Sequence, residues 1–242
     1  MATYGLIGKS LSHSFSKTYF SDWFLKEGLP HTYQNFELEA ISELNHKVLD
    51  LKDLVGFNVT NPYKGAIIDY CQLLSPAAKE IGAVNCVKRV GDQLHGHNTD
   101  WMGFTQSLRN WTGKKKPKSA LVLGDGGASK AVQYALKHLG IDFFVISRKQ
   151  KGRTSFANLD EDLVKENLLV VNTTPLGTSP NLLEKPPFPY SFLSARHLLY
   201  DLVYNPENTA YMQEGLNRGC QVKNGIEMLE IQAQESWRIW SD

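Results

Sequence analysis

Three stretches of this chain set polar side chains where an apolar run ends. Asn58-Val59-Thr60-Asn61-Pro62-Tyr63-Lys64 follows an apolar strand-like run, so Asn58, Thr60 and Lys64 fall at or just beyond its C-terminal end. Open α/β sheets bind their ligands at that edge. Gly82-Ala83-Val84-Asn85-Cys86 puts an amide inside an otherwise apolar run, and Gly96-His97-Asn98-Thr99-Asp100 places a carboxylate just before the helix-like Trp101 to Leu108. Taken singly, Asp100 reads as an N-cap, Asn85 as a sheet-end hydrogen bonder and Lys64 as a surface cation. Their contexts favour a joint site.

A second kind of chemistry is written in Gly124-x-Gly126-x-x-Ser129. Gly124 permits a tight turn, Gly126 lets a pyrophosphate approach the backbone, and the small Ser129 allows close helix–strand packing. The following helix would turn its partial positive end to the phosphates. A glycine turn without a ligand is the plainer alternative, but the strand before, the helix after and a second strand beyond favour a dinucleotide. Asp125 is expected to face solvent. The second strand ends in Ser147-Arg148-Lys149-Gln150-Lys151, with no carboxylate until Asp160. An NAD site usually carries an acid there. Cations suit the 2′-phosphate of NADP, with Arg148 stacking or pairing and Lys149 or Lys151 assisting; a solvated basic turn is the alternative.

The elements that must position these residues alternate. Strand-like runs at Tyr4 to Ile7, Thr32 to Phe36, Val55 to Thr60 and Ala83 to Val87 are separated by helix-like ones. The first helix starts in Ser12-His13-Ser14-Phe15-Ser16, where hydroxyls are available for N-capping. Tyr19, Phe20, Trp23 and Phe24 then recur at helical spacing, as core. Ser119 to Leu123, a helix from about Lys130 to Leu139 stopped by Gly140, and Phe143 to Ile146 make a βαβ unit. Leu169 to Val171, His197 to Leu202 and Cys220 to Val222 read as later strands, and an amphipathic helix from about Ile226 to Trp240 ends the chain. This alternation predicts an α/β fold with helices covering a largely parallel sheet, in two domains divided near Asp100 to Gly113.

Composition narrows the function. The 242 residues carry 26 Lys and Arg against 25 Asp and Glu, a net charge of +1, which gives no global pull toward nucleic acid or anionic membrane. The run Lys114-Lys115-Lys116-Pro117-Lys118 reads as a solvated loop. No apolar run approaches the roughly 18 residues of a membrane span. Cys71, Cys86 and Cys220 are odd in number and lack zinc-site spacing, so reduced core thiols in a cytoplasmic protein without a metal are expected.

In sequence order, several segments together carry a resemblance to the shikimate dehydrogenase family, over essentially the whole chain. They are Gly8 to Ser16, Asn58 to Lys64, Gly82 to Asn85, Asn98 to Asp100, Gly124 to Ala128, Asn172 to Gly177, Tyr200 to Pro206 and Met228 to Ala233. The resemblance implies reversible NADPH-dependent reduction of 3-dehydroshikimate to shikimate, in the pathway to aromatic amino acids. It also implies an N-terminal α/β substrate-binding domain over residues 1–101, rejoined by 224–242 as the C-terminal helix packs back, and a Rossmann-like NADP-binding domain over 102–223.

By matching position, Ser14 and Ser16 would bind the substrate carboxylate. Thr60, Lys64, Asn85, Asp100 and Gln232 would hold its ring oxygens, and Tyr204 would border the pocket. Gly124, Gly126, Gly127, Ala128, Ser147, Arg148, Lys149 and Thr173 would bind the cofactor. Lys64 and Asp100 form the expected catalytic pair: the ammonium can donate a proton to a developing alkoxide, and the carboxylate can orient it. A monomer or homodimer is expected.

Departures from the family pattern are Lys17 in place of Pro, Asp125 in place of a small residue, Ser147 in place of Asn, and Glu227 where Gly is common, beside the nicotinamide side. The segment between Gln150 and Leu168 is short for a full βα unit. Two alternatives stay open: a quinate/shikimate dehydrogenase using NAD, and a non-catalytic regulator on the same fold.

Overall fold

The computed structural model describes residues 1–12, 14–148 and 154–242. The chain divides into two compact α/β units, one of residues 1–99 with 233–242 and one of residues 100–232.

The first unit is built on a six-stranded sheet. Its strands are β1 (Ala2–Gly8), β2 (His31–Glu37), β3 (Leu54–Val59), β4 (Leu73–Leu74), β5 (Cys86–Val90) and β6 (Gln93–His97), in the order β2-β1-β3-β5-β6-β4. Helix α1 (Phe15–Lys26) connects β1 to β2, and the short α2 (Pro76–Ile81) precedes β5. Pairings of β1 with β2 and β3, and of β4 with β6, are parallel, but β5 runs antiparallel to β3 and β6. The sheet is therefore mixed, and its antiparallel pairings are the two that β5 makes. The reason is local: Gly91 and Asp92 alone separate the paired Val90 and Gln93, and Gly91 sits at φ +60°. A two-residue loop leaves no room for a crossover helix and forces a hairpin.

Side-chain alternation sorts the two faces of this sheet. Ile7, Phe57 and Val59 pack with Leu38, Leu44, Val48 and Ile67 on one side. Tyr4, Leu6 and Cys86 pack with Phe20 and Phe24 of α1 on the other. The second side also takes the end of α7 (Ile226–Ser241), where Trp240 lies 5.0 Å from the Tyr4 ring centroid and 5.4 Å from that of Phe20. The Trp240 indole N–H donates to the Val87 carbonyl at 2.9 Å. It reaches that depth because Gly56 has no side chain: a Cβ there would collide with the indole ring.

The second unit carries a five-stranded sheet, all parallel: β7 (Ser119–Leu123), β8 (Asp142–Ile146), β9 (Leu169–Asn172), β10 (Leu198–Asp201) and β11 (Gln221–Lys223), in the order β11-β10-β9-β7-β8. Strands buried on both faces put Ala120 and Val122 against Phe104 and Leu108 of α3 (Asp100–Thr112) and Val132, Ala135 and Leu136 of α4 (Gly127–His138). Leu121 and Leu123 face Leu163 and Val164 of α5 (Glu161–Glu166) and Tyr211 and Met212 of α6 (Ala210–Leu216). This is a three-layer, doubly wound unit. The short stretch after β8 is handled economically: α5 has only six residues, started by the Asp160 carboxylate, which accepts from Leu163 N–H at 2.8 Å. Among the described residues no helix is long and apolar enough to cross a membrane.

Candidate active site and dinucleotide-binding edge

In the first unit the polar residues singled out from the sequence meet at one edge of the sheet. β1 and β3 are parallel and end there, while β5 begins there because it runs the other way, pairing Cys86 with Asn58. Thr60 leaves the end of β3 with its N–H bonded to the Ile7 carbonyl at 2.9 Å. Four residues on, the Lys64 carbonyl accepts from Val84 N–H at 2.8 Å, next to Asn85. Lys64 itself is half-buried. Asn85 is 3% exposed, and its Oδ1 accepts the Thr99 N–H at 2.6 Å. That bond fixes the Asn98–Thr99 peptide, one peptide bond before Asp100.

The capping bond that the hydroxyl-rich start of α1 suggested is not made by Ser14, which occupies the N-cap position. Its hydroxyl is buried without a hydrogen-bond partner among the described residues. Buried polar atoms are almost always satisfied, so an orphan hydroxyl at a ligand edge is a mark of a binding group. Ser16, two residues on, is buried and hydrogen-bonds the Tyr33 phenol. Burial raises the Tyr33 pKa well above its ordinary value, and the Ser16 bond offsets only part of that rise. α1 starts at Phe15 with Lys17 exposed in its first turn.

In the second unit the strand order reverses beside β7: β8 lies on one side, β9 on the other. Such a switch point opens a crevice at the carboxyl ends of the strands. Gly124 lies there at φ +112°, with its N–H on the Ile146 carbonyl at 2.8 Å. A Cβ at Gly124 would fall 2.7 Å from Thr173 Oγ1, which itself donates to the Leu123 carbonyl at 2.7 Å. Gly126 caps α4 in an extended conformation, no side chain bonds the cap, and no acid stands in the first turn. The space where its Cβ would stand is open. Gly127 and Ala128 form that first turn. Ser129 is fully buried and does more than fit, donating to the Gly124 carbonyl at 2.7 Å.

The end of β8 corrects one expectation. Asp125 does not simply face water: Ser147 Oγ donates to its Oδ2 at 3.2 Å. Ser147 is 3% exposed, whereas Arg148 is exposed. Lys149 and Lys151 lie outside the described residues. Glu227 is also engaged within this unit. It accepts from Ser107 Oγ at 2.9 Å and Asn110 Nδ2 at 2.6 Å, and pairs with Lys223 at 2.6 Å. Burial raises its pKa, but these three partners outweigh burial and leave it below the ordinary carboxylate range.

Asp100, buried at 7% exposed, is the first residue of α3. Gln232 on α7 is 7% exposed, with Nε2 on the Leu229 carbonyl at 2.8 Å. Tyr204 follows β10 and is half-buried. Asn172 and Asp201, which lie in two of the segments that carry the family resemblance, had no role legible in the sequence. The Asp201 carboxylate is fully buried and accepts from Asn172 Nδ2, Val203 N–H and Thr209 Oγ1 at 2.9, 3.0 and 2.6 Å. Burial dominates those bonds and pushes its pKa up to about 6.

Known proteins share both units. Residues 6–87 match the model of the shikimate dehydrogenase substrate binding domain. A shikimate dehydrogenase (NADP(+)) of Caldicellulosiruptor saccharolyticus is 36% identical, over 98% of this chain and 91% of that relative. The structure of Thermus thermophilus shikimate 5-dehydrogenase in complex with NADP(H) and shikimate superposes with a TM-score of 0.88 at 29% identity, covering 100% of this chain and 94% of that one. Corynebacterium glutamicum quinate dehydrogenase in complex with NAD gives 0.86 at 25% identity, covering 99% and 93%. With a sheet edge that offers a hydroxyl without a partner among the described residues, a glycine turn at a switch point and a relative 36% identical over 98% of this chain, the chain belongs to the shikimate dehydrogenase family.

Proposed function

We propose that this chain is a shikimate dehydrogenase, reducing 3-dehydroshikimate to shikimate reversibly with NADPH. The first unit would bind the substrate and the second the dinucleotide. The observation that carries the reading is the buried Ser14 hydroxyl, a donor with no partner among the described residues, inside the segment that matches a substrate-binding domain.

Ser14 and Ser16 hold the substrate carboxylate, and Thr60, Asn85 and Gln232 its ring oxygens, with Tyr204 bordering the pocket. Lys64, as an ammonium, donates the proton that the ketone oxygen needs as negative charge develops on it. Asp100 orients that amine and accepts from a substrate hydroxyl. In the reverse direction the same lysine takes the proton back.

The second unit fits a dinucleotide. Open space at Gly126, an uncapped α4 and the absence of an acid in its first turn suit a pyrophosphate. Gly124, Gly127, Ala128 and Thr173 line that crevice, and Ser147, Arg148 and Lys149 would take the 2′-phosphate. NADPH, when bound, supplies the hydride. One observation favours NAD as a second reading: the Asp125 carboxylate beside Ser147 is the group that ribose hydroxyls seek.

The deciding experiment follows reduced nicotinamide by absorbance, with purified protein, shikimate or quinate, and NADP+ or NAD+. Shikimate-dependent growth with NADP+ is expected. Growth only with NAD+ would replace the cofactor, and only with quinate the substrate. No growth at all, with shikimate still bound, would remove the catalytic reading in favour of a regulator.

A further inference from the structure

A continuous path of buried hydrogen bonds in the first unit joins two residues read above as substrate ligands. Ser16 hydrogen-bonds the Tyr33 phenol, and Tyr33 O–H donates to Asn58 Oδ1 at 2.9 Å. Asn58 Nδ2 donates to the Asn85 carbonyl at 3.1 Å and to Ser236 Oγ on α7 at 2.9 Å. Ser236 Oγ and Thr99 Oγ1 lie 3.2 Å apart. The path closes where Asn85 Nδ2 donates to Thr99 Oγ1 at 3.0 Å and Asn85 Oδ1 accepts Thr99 N–H at 2.6 Å. All six residues are at most 9% exposed.

Asn58 spends both amide hydrogens and an acceptor site inside this path, so it acts as a strut. Nor is the Ser236 hydroxyl needed to dock α7. Trp240 already anchors the end of that helix through Tyr4, Phe20 and its bond to Val87. What the hydroxyl does is receive one hydrogen of Asn58 and meet the hydroxyl that orients the Asn85 amide. A buried network restricts rotation only while each partner is present.

We propose that Tyr33, Asn58, Thr99 and Ser236 are positioning residues, holding Ser16 and Asn85 in the orientation that binds a hydroxylated ring carboxylate. This rests on the reading under Proposed function. Neither Ser236 nor Tyr33 is assigned to the site itself.

Steady-state kinetics on the full chain test it. Ser236→Ala should raise KM for shikimate about tenfold while KM for NADP+ stays within twofold, the pattern of lost ground-state binding. Tyr33→Phe should act in the same direction from the Ser16 end. Thr99→Val, which keeps the shape and loses the hydroxyl, should repeat the effect, and Thr99→Ser should restore it. If Ser236→Ala does not fold, the Val and Ser variants of Thr99 decide. KM values for shikimate within twofold of wild type, or equal changes for shikimate and NADP+, would leave only a stability role and overturn the inference. A wild type with no shikimate turnover would overturn the functional reading and this inference with it; an active wild type with indifferent variants overturns this inference alone.

Discussion

Ser147 Oγ donates to Asp125 Oδ2 at 3.2 Å, which brings the carboxylate of the glycine turn to the end of β8. An anion there opposes a 2′-phosphate and attracts ribose hydroxyls, while Arg148 beside it does the reverse. Asp125→Ser should therefore tighten NADP+ binding about threefold to tenfold, with NAD+ unchanged or weaker; two like charges about 6 Å apart in water-like surroundings repel by about 0.7 kcal/mol, or about threefold, and by more where water is partly excluded. Fluorescence titration with both cofactors reads it, and equal shifts for the two would sink the charge argument. In the same titration Arg148→Ala should weaken NADP+ about tenfold and spare NAD+.

Ser14→Ala should separate binding from stability by moving them in opposite directions. The hydroxyl is buried and has no partner among the described residues, so its removal relieves a desolvation cost of about 1 kcal/mol and raises Tm by a few degrees. The same change removes a charge-assisted bond to the substrate and should raise KM for shikimate at least about tenfold. Calorimetry and kinetics on one preparation check both; a lower Tm would mean that the hydroxyl is satisfied in the apo fold.

Lys64→Ala should lower kcat by a factor on the order of 10²–10⁴, the usual worth of a general acid. Shikimate binding, measured by calorimetry, should weaken far less, because other residues hold the ring. Turnover within a few-fold of wild type would take Lys64 out of the proton transfer.

Asp201 gives the second unit a pH signature. Its carboxyl titrates near 6 in the fold against an ordinary 3.8, because burial outweighs its three hydrogen bonds. Between about pH 4 and 6 the folded chain holds more protons on this group than the unfolded one, so its contribution destabilises as pH rises. The cost at pH 7 is about 3 kcal/mol. Asp201→Asn can keep the same partners, its oxygen facing Asn172 and Val203 and its amide facing Thr209. Its Tm should exceed wild type at pH 7.5 and lose most of that advantage at pH 4.5. An advantage independent of pH would place its origin elsewhere.

Much of the fold was legible because its signals are local. Ala120 to Leu123 is apolar on both faces and reads as a buried strand, and β7 and β8 fall within a residue of expectation. Gly124, Gly126 and Gly140 punctuate the chain through backbone freedom alone. The β5–β6 hairpin was missed because the inward positions of β6 are Leu94 and Gly96, and a glycine gives no apolar signal to complete the alternation.

Residue types and their order thus determined the α/β class, the glycine turn and the inventory of polar groups near each sheet edge. Those depend on backbone sterics and hydrophobic period, which act over a few residues. Only the tertiary structure decided what each polar group does: Ser14 leaves its hydroxyl uncapped, Asp125 turns to Ser147, and Asn58 spends its amide on Ser236, 178 residues away. A hydrogen bond is directional and short, so a side chain's partner is set by which strands and helices pack beside it. The sequence supplies the donors and acceptors; the fold assigns them.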